Sequence, residues 1–577
     1  MASTAETLIN DRVASRIFAK DATLYDFSET AFEFGRNFMG WTDLATNPKC
    51  DVDDIVSFAD MVHEKGIETI AILGQGGSTQ APMTLTKYNK IDANRISVVT
   101  MDSDSPVRMR ELFAHCKPET TMFVFSSKSG GTIEPRMLFA AIEEHYGKQL
   151  GEEFPQHLIA ITDPGTALER KAKDEGWAKV FSGIPEVGGR FSALSVFGLV
   201  PAAIAGIDIR ALLDHARKAE RECSADAEGN PAIELASFLY DNYRNGRNKF
   251  SFESPKRGRV LGLWIEQLVS ESLGKDGEGI LPNIEIDSLL LAEDPKDRSV
   301  ITYRTQTDLW DESRNFEMSL EYIDPAIPRL DFTIHSVEEI AEHFVMWEYA
   351  TAMCGYLMKV SPFDQPNVQS TKTLVLDILK NGIPDPDYTQ RFTSRIDMGE
   401  IEVRTSPQFS GTDNLRDTLQ ALFKSIQPGD YFAMNAFLPF TGEGRREALE
   451  SIRHSVATHF GIASCMEIGP RYLHSIGQLQ KGGPNIGVFL VISAGELKDI
   501  PLPDDCEASS LETLAKAQAT GDAKALAEKG RRVVHLHIPD NAGVTLRQLS
   551  IVVREAIWAA AKARGTQLPV GMDALGR

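Results

Sequence analysis

The chain has 577 residues, a length that predicts about three or four domains. Its hydrophobic share of 42% and charged share of 25% are ordinary for a globular protein. The formal net charge of −22 argues against a nucleic-acid partner, because such a partner normally requires a basic surface. No apolar run approaches the roughly 20 residues that span a bilayer, so we expect no membrane partner.

The cellular location follows from the amino terminus and the cysteines. The first residues lack the basic start and the apolar stretch of a secretion signal. The six cysteines are scattered and form no Cys-x-x-Cys pair, which favours a reducing compartment over a disulfide framework or a zinc site. We therefore expect a cytoplasmic protein.

In chain order, the predicted elements indicate an α/β protein. Residues 1–44 are predicted to form an N-terminal helical segment, and residues 45–215 alternate between helix and strand. Strands are predicted at Glu68–Leu73, Ile96–Met101, Thr121–Ser126 and His157–Thr162. This alternation predicts a doubly wound parallel sheet with ligands at the carboxyl ends of its strands. Residues 216–380 are expected to repeat that architecture.

The remainder, residues 381–577, is predicted to be a C-terminal α/β extension that begins at the turn-rich segment Asn381–Asp387. Its strands are predicted at Tyr431–Phe437, Gly487–Ile492 and Arg532–Ile538. Apolar residues at helical spacing in its last helix are expected to face the core: Leu546, Leu549, Val553, Ile557 and Ala560. His535 and His537 should share a strand face, but two imidazoles alone are poor grounds for a metal site.

The most informative motif is Ser126–Pro135, which lies between an apolar strand and a segment that reads as helix through Tyr146. An anion at such a junction receives backbone N–H groups and the positive end of the helix dipole. Gly130 and Gly131 permit the backbone to curl around the anion. The candidate phosphate ligands are the hydroxyl groups and the cation of this loop, Ser127, Ser129, Thr132 and Lys128. The alternative is a Ser/Gly turn with a solvated lysine.

Two further motifs carry glycines next to polar groups. Gly74–Thr79 follows a strand and could bind a dinucleotide, with Asp102 on the ribose, although Thr79 stands where the third glycine is expected. In Glu186–Ser192, Arg190 follows two glycines. A permanently charged side chain held close to backbone suits an oxyanion or an enediolate, although a capping arginine would look the same.

With these motifs in sequence, the chain resembles the glucose-6-phosphate isomerase family of the sugar-isomerase-domain superfamily. Residues 127–132 match the family phosphate loop S-K-[ST]-x-x-T, and residues 187–192 match V-G-G-R-[FY]-S. Gln267–Lys275 matches Q-x-x-x-E-S-x-G-K. Pro362–Lys372 resembles the motif that ends in a lysine near the sugar, with Asn367 replacing the usual small residue.

The resemblance implies interconversion of glucose 6-phosphate and fructose 6-phosphate through a cis-enediol, with no metal and no cofactor. Glu271 would be the base, Arg190 would stabilise the enediolate and Lys372 would assist ring opening. The implied substrate-binding residues are Gly77, Ser78 and Gln267, the last on the same helix face as Glu271. The positive charge of this acidic chain is expected at Lys128, Arg190, Lys275 and Lys372.

Alternatives to this function stay open. They are a dual phosphoglucose/phosphomannose isomerase, a non-catalytic phosphosugar-binding regulator and a nucleotide-dependent dehydrogenase. The implied partner is a hexose 6-phosphate, with a possible homodimer because family members commonly build the site from two subunits.

The C-terminal extension has a resemblance of its own. Glu467–Asn485, Ala517–Ala523 and Gly530–Val533 resemble the carboxy-terminal region of fused transaldolase/glucose-6-phosphate isomerase proteins. We expect the isomerase activity only. The family uses a histidine to open the pyranose ring; His474 is the main candidate, and His335 and His343 are weaker ones.

Overall fold

The computed structural model describes residues 2–88, 96–284, 288–306, 310–382, 390–396 and 399–565. The chain forms two compact units. The first consists of Met1–Asp102, Met109–Pro366 and His474–Gly483, and the second of Ser103–Arg108, Asn367–Leu473 and Pro484–Arg577. The short segment His474–Gly483 therefore belongs to the first unit, although the chain on both sides of it belongs to the second.

The first unit contains a five-stranded sheet. Its strands are β1 (Thr69–Leu73), β2 (Ser97–Met101), β3 (Thr121–Ser126), β4 (Leu158–Thr162) and β5 (Lys179–Ser182). They are all parallel and lie in the order β2-β1-β3-β4-β5. Leu73 pairs with Phe125, so Gly74 and Ser126 leave the sheet side by side. The first two motifs of the sequence therefore meet at one sheet edge.

A four-stranded sheet completes the first unit. Its strands are β6 (Lys249–Glu253), β7 (Leu281–Ile284), β8 (Arg298–Thr305) and β9 (Arg329–Ile334). They are also parallel, in the order β7-β6-β8-β9. One apolar core includes side chains of both sheets, such as Ile72 and Phe252. The predicted pair of doubly wound parallel sheets is confirmed.

Helices pack around these sheets, and most of them present an apolar stripe to the core. They are Thr4–Asn10, Val13–Phe18, Glu29–Phe38, Val52–Glu64, Gly77–Tyr88, Ile133–Leu150, Ala167–Asp174, Val196–Ile204, Ile209–Cys223, Pro231–Arg244, Arg259–Leu273, Trp310–Leu320, Ile340–Met358 and Gly477–Gly482, while Pro106–His115 contains residues of both units. Arg259–Leu273 is buried along nearly its whole length, so the helix that carries Glu271 is central.

The second unit has a mixed sheet. Its strands are β10 (Gln390–Ile396), β11 (Gly399–Thr405), β12 (Tyr431–Phe437), β13 (Ala463–Ile468), β14 (Gly487–Ala494) and β15 (Arg532–Ile538). The order is β10-β11-β15-β14-β12-β13, and β11 runs antiparallel to both of its neighbours. The other neighbouring pairs are parallel. The predicted C-terminal α/β extension is therefore confirmed as a mixed sheet with helices.

The helices of this part of the chain are Pro366–Asn381, Leu415–Lys424, Arg445–Phe460, Leu511–Glu528 and Gly543–Ala563. The five apolar residues predicted to face the core on the last of them are all buried. His535 and His537 both lie 2.9 Å from the Ser493 hydroxyl, so the expectation that they share a face is confirmed.

The four-part domain division of the sequence analysis stays a prediction, and residues 383–387 of its turn-rich boundary lie outside the described residues. Among the helices that the structure describes, none has the length and apolar character needed to cross a membrane.

Candidate active site

The predicted phosphate loop lies between β3 and the helix Ile133–Leu150. Gly130 has φ +64°, and a Cβ there would lie 3.0 Å from the Leu168 side chain, so this position favours glycine. The Ser127 hydroxyl donates to the Thr132 hydroxyl at 3.4 Å. Thr132 is the N-cap residue of the helix, and its side chain makes no capping hydrogen bond. The loop thus combines hydroxyl groups with a helix N-terminus, an arrangement suited to an anion.

The neighbouring loop after β1 approaches three other parts of the site. A Cβ on Gly74 would lie 2.9 Å from the Ser126 carbonyl oxygen, and one on Gly77 would lie 1.8 Å from the Gly189 carbonyl oxygen. Gly76 has φ +56°, and its Cβ would lie 2.8 Å from Gln267 Nε2. These glycines therefore let the loop after β1 contact the phosphate loop, the segment Gly188–Arg190 and the helix that carries Glu271. Ser78 follows them and is buried.

Arg190 and Glu271 form the centre of the site. Arg190 Nη1 lies 3.6 Å from Glu271 Oε1, and both side chains are buried. Arg190 Nε donates to the Ser272 hydroxyl at 2.7 Å, and Nη2 donates to the carbonyl oxygens of Pro362 at 2.6 Å and Asp364 at 3.0 Å. Burial lowers the pKa of Arg190, and the nearby carboxylates of Glu271 and Asp364 oppose that shift. The guanidinium is therefore fixed beside the carboxylate.

A second polar pair, Gln267 and His474, contacts Glu271 through Gln267. Gln267 Nε2 donates to Glu271 Oε2 at 3.3 Å and to the His474 carbonyl oxygen at 3.0 Å. His474 Nε2 lies 2.9 Å from Oε1 of the buried Glu134, which belongs to the helix after the phosphate loop. A carboxylate only accepts, so Nε2 carries the proton and Nδ1 does not while the ring is neutral. Nδ1 has no hydrogen-bond partner among the described residues.

Two of the predicted cations point toward protein acceptors. Lys128 Nζ forms an ion pair with Asp163 and donates to the carbonyl oxygens of Ile184 and Pro185, both at 3.1 Å. Lys275 Nζ donates to Asp364 Oδ1 at 2.5 Å and to the Ser361 carbonyl. Burial, reinforced by the charge of Arg190, lowers the pKa of Lys275 to about 8, although Asp364 and Glu271 favour its protonated form.

Three other candidates were predicted from the sequence. Lys372 belongs to the second compact unit, on the helix Pro366–Asn381, and is half-buried. His343 Nδ1 lies 3.1 Å from the Tyr303 hydroxyl, and burial lowers the pKa of His343 to about 4. His335 is exposed. No cluster of three or more His, Cys, Asp or Glu side chains within the described ranges could hold a metal ion.

Sequence reasoning assigned no role to Glu134, Asp163, Ser272 and Asp364. A signal existed for Glu134, which stands in the first turn of the helix that follows the phosphate loop. The contact partners of the other three are 35 to 174 residues away along the chain, and no sequence pattern marks such a pairing.

Comparison with known proteins finds relatives over part of this chain. Residues 59–285 match the phosphoglucose isomerase family model. That range includes the phosphate loop, Arg190 and Glu271. A glucose-6-phosphate isomerase from Mycoplasmopsis pulmonis is 29% identical over 394 residues, which cover 60% of this chain and 91% of the relative. One from Nostoc punctiforme is 33% identical over 254 residues, which cover 41% of this chain and 48% of the relative.

Solved structures share a similar fold over 65% of this chain. A protein from Thermus thermophilus, described as hypothetical, is 25% identical with a TM-score of 0.56 and covers 65% of this chain and 95% of its own. A glucose-6-phosphate isomerase from Chlamydia trachomatis is 18% identical with a TM-score of 0.52 and covers 65% of this chain and 79% of its own. At that identity the second likeness concerns the fold alone.

Proposed function

We propose that this chain is an aldose–ketose isomerase that interconverts glucose 6-phosphate and fructose 6-phosphate, a reaction of glycolysis and gluconeogenesis. The observation that carries the proposal is the buried Arg190–Glu271 pair, with Nη1 and Oε1 3.6 Å apart. A base and an anion-stabilising cation are the two groups that proton transfer next to a carbonyl requires. The family match over residues 59–285 includes both of them.

In the open-chain sugar, Glu271 takes the proton from C2. The electron pair of that C–H bond forms the C1–C2 double bond of the enediolate, whose negative charge develops on the former carbonyl oxygen. The positive charge of Arg190 stabilises that negative charge, and burial strengthens the interaction because little water screens it. Glu271 then returns the proton to C1, the proton of the C2 hydroxyl passes to the anionic oxygen on C1, and the carbonyl group reforms at C2. The phosphate loop holds the far end of the sugar and so orients C1 and C2.

Ring opening precedes this transfer, and His474 is the group proposed for it. Its Nε2–H donates to Glu134, so Nδ1 is the atom that can take the proton of the anomeric hydroxyl of the closed sugar. Gln267 contacts both the His474 backbone and Glu271, which links the ring-opening group to the base. Lys372 is proposed to assist at the ring oxygen.

Apart from Lys372, these residues all belong to the first compact unit. A homodimer and a cytoplasmic location remain part of the proposal, and transaldolase activity is not part of it. Neither a metal nor a cofactor is proposed, since the hydrogen moves as a proton.

A coupled assay tests this function. Purified protein with fructose 6-phosphate should release glucose 6-phosphate, detected as NADP reduction by a glucose-6-phosphate dehydrogenase. Mannose 6-phosphate as the substrate, with a phosphoglucose isomerase also added, distinguishes the dual isomerase. A Glu271→Gln preparation measures any contaminating isomerase. Sugar-phosphate binding without turnover would favour a regulator, and binding of NAD(P) would favour a dehydrogenase.

A further inference from the structure

The ammonium groups of Lys128 and Lys275 are both saturated by protein acceptors. An ammonium has three N–H donors. Those of Lys128 reach the Asp163 carboxylate and the carbonyl oxygens of Ile184 and Pro185. The phosphate loop carries Lys128, yet this side chain has no donor left for a phosphate in that arrangement.

Lys275 makes the same kind of arrangement from the end of the helix that carries Glu271. Its three acceptors are the Ser361 carbonyl, the Asp364 carbonyl at 2.7 Å and the Asp364 carboxylate at 2.5 Å. The residue is 2% exposed. A buried ammonium that gave up these bonds for a ligand would lose its compensation for desolvation.

The acceptors of the two lysines belong to the two segments that hold Arg190. The Ile184 carbonyl also accepts from Val187 N at 3.0 Å, which closes the turn that leads into Gly188, Gly189 and Arg190. On the other side, the Asp364 carbonyl accepts from both Arg190 Nη2 and Lys275 Nζ. One lysine therefore fixes the backbone before Arg190, and the other fixes the backbone that receives its guanidinium.

We propose that Lys128 and Lys275 are positioning residues that hold these two segments so that Arg190 faces Glu271, and that neither ammonium binds the substrate phosphate. The proposal rests on the proposed isomerase function. The phosphate is then bound by the hydroxyl groups of the loop, by its backbone N–H groups and by the helix N-terminus.

The two roles for Lys128 differ in the step that they affect. A direct charged contact with the phosphate is worth about 10- to 100-fold in affinity, which Lys128→Met would remove. A positioning role leaves affinity for phosphate within about threefold and lowers kcat about tenfold or more, because a small displacement of Arg190 weakens an interaction made in the transition state.

The first experiment measures kcat and KM for fructose 6-phosphate and the calorimetric Kd for inorganic phosphate in Lys128→Met and Lys275→Met. Lys179→Met is the matched control, since Lys179 pairs with Asp54 at 2.6 Å and is 29% exposed against 26% for Lys128. We expect both test variants to lose kcat, to keep the phosphate Kd and to differ from the control. A tenfold weaker phosphate affinity in Lys128→Met would overturn the proposal.

A double-mutant cycle with Arg190→Met tests whether Lys275 affects kcat through Arg190. If Lys275 acts through Arg190, Lys275→Met should lower kcat less than about threefold further in the Arg190→Met background. Losses that multiply fully would show that Lys275 acts independently of Arg190, contrary to the proposal.

Two variants cover a failure of the lysine variants to fold. Asp163→Asn and Asp364→Asn keep each lysine ammonium and remove the carboxylate that pairs with it. We expect kcat to fall and phosphate affinity to stay unchanged. Tighter phosphate binding by a released ammonium would refute the positioning role of that lysine. Wild-type protein is assayed first. Absence of isomerase turnover there refutes the proposed function, while the phosphate titration still decides whether Lys128 binds the anion.

Discussion

Replacement of Glu271 by glutamine gives the sharpest test of the proposed chemistry. Glutamine keeps the shape of the side chain, and its amide oxygen can still accept from Gln267 Nε2, which lies 3.3 Å from Oε2 in the wild type. An amide cannot take a proton from carbon. We expect kcat to fall about 10²–10⁴-fold, equivalent to about 3–5 kcal/mol of transition-state stabilisation. KM should change less than about threefold, because the phosphate loop is untouched.

The same substitution has a calculable effect on stability. It leaves the Arg190 guanidinium buried without the carboxylate that lies 3.6 Å away. Breaking a buried ion pair commonly costs about 3–5 kcal/mol. Arg190 keeps its three hydrogen-bond acceptors on Ser272, Pro362 and Asp364, so we expect a smaller loss of unfolding free energy, about 1–3 kcal/mol.

The assay combines coupled steady-state kinetics with urea denaturation of the same preparations. Glu266→Gln is the control, since Glu266 is buried on the same helix, and the five-residue offset turns it about 140° away from Glu271. It should keep kcat within about threefold of wild type. Near-wild-type turnover by a folded Glu271→Gln variant would refute the assignment of the base. An equal loss in the control would trace the effect to the helix.

Three further changes test other parts of the structure. His474→Ala should slow turnover of fructose 6-phosphate, which is mostly in its closed-ring form, by about tenfold or more, and should slow turnover of an open-chain analogue much less. Equal losses of kcat for the two substrates would exclude a role for His474 in ring opening. Burial, with the charge of Glu220 adding to it, raises the pKa of Glu348 well above its usual value. The fold thus favours the protonated form, and wild-type stability should decline above about pH 4.5, the unfolded pKa. Glu348→Gln should remove that decline, so the difference in unfolding free energy between variant and wild type, measured in urea, should change between pH 5 and pH 8. The same difference at both pH values would contradict a raised pKa of Glu348. Gly77→Ala would place its Cβ 1.8 Å from the Gly189 carbonyl oxygen and should lower stability by about 1–3 kcal/mol; an unchanged Tm and kcat would speak against that contact.

Much of the fold could be predicted from sequence because its signals are local. β3, β12 and β15 have the predicted limits, since short apolar runs with β-branched and aromatic residues favour strands wherever glycines or polar loops bound them. The strand, glycine loop and helix around residues 127–132 could be predicted for the same reason, because they follow one another along the chain.

The sequence did not indicate how β11 is oriented or which unit the segment His474–Gly483 joins. Both depend on pairings between residues far apart in the chain. A strand of given composition can pair in either direction, and the choice is made by its neighbours and connections. The segment contacts the end of the Glu271 helix, where Gln478 Nε2 donates to the Gly274 carbonyl oxygen at 3.0 Å.

By itself, the sequence predicted which residues are candidates for the chemistry: a base, an arginine and hydroxyl groups at the ends of strands and on one helix face. Only the tertiary structure decided what each side chain meets. His474 contacts Glu134 across 340 residues, and the lysines at positions 128 and 275 direct their charges to backbone carbonyl groups. Backbone periodicity is a property of neighbouring residues, whereas the partner of a long polar side chain depends on which segments packing brings within about 3 Å of it.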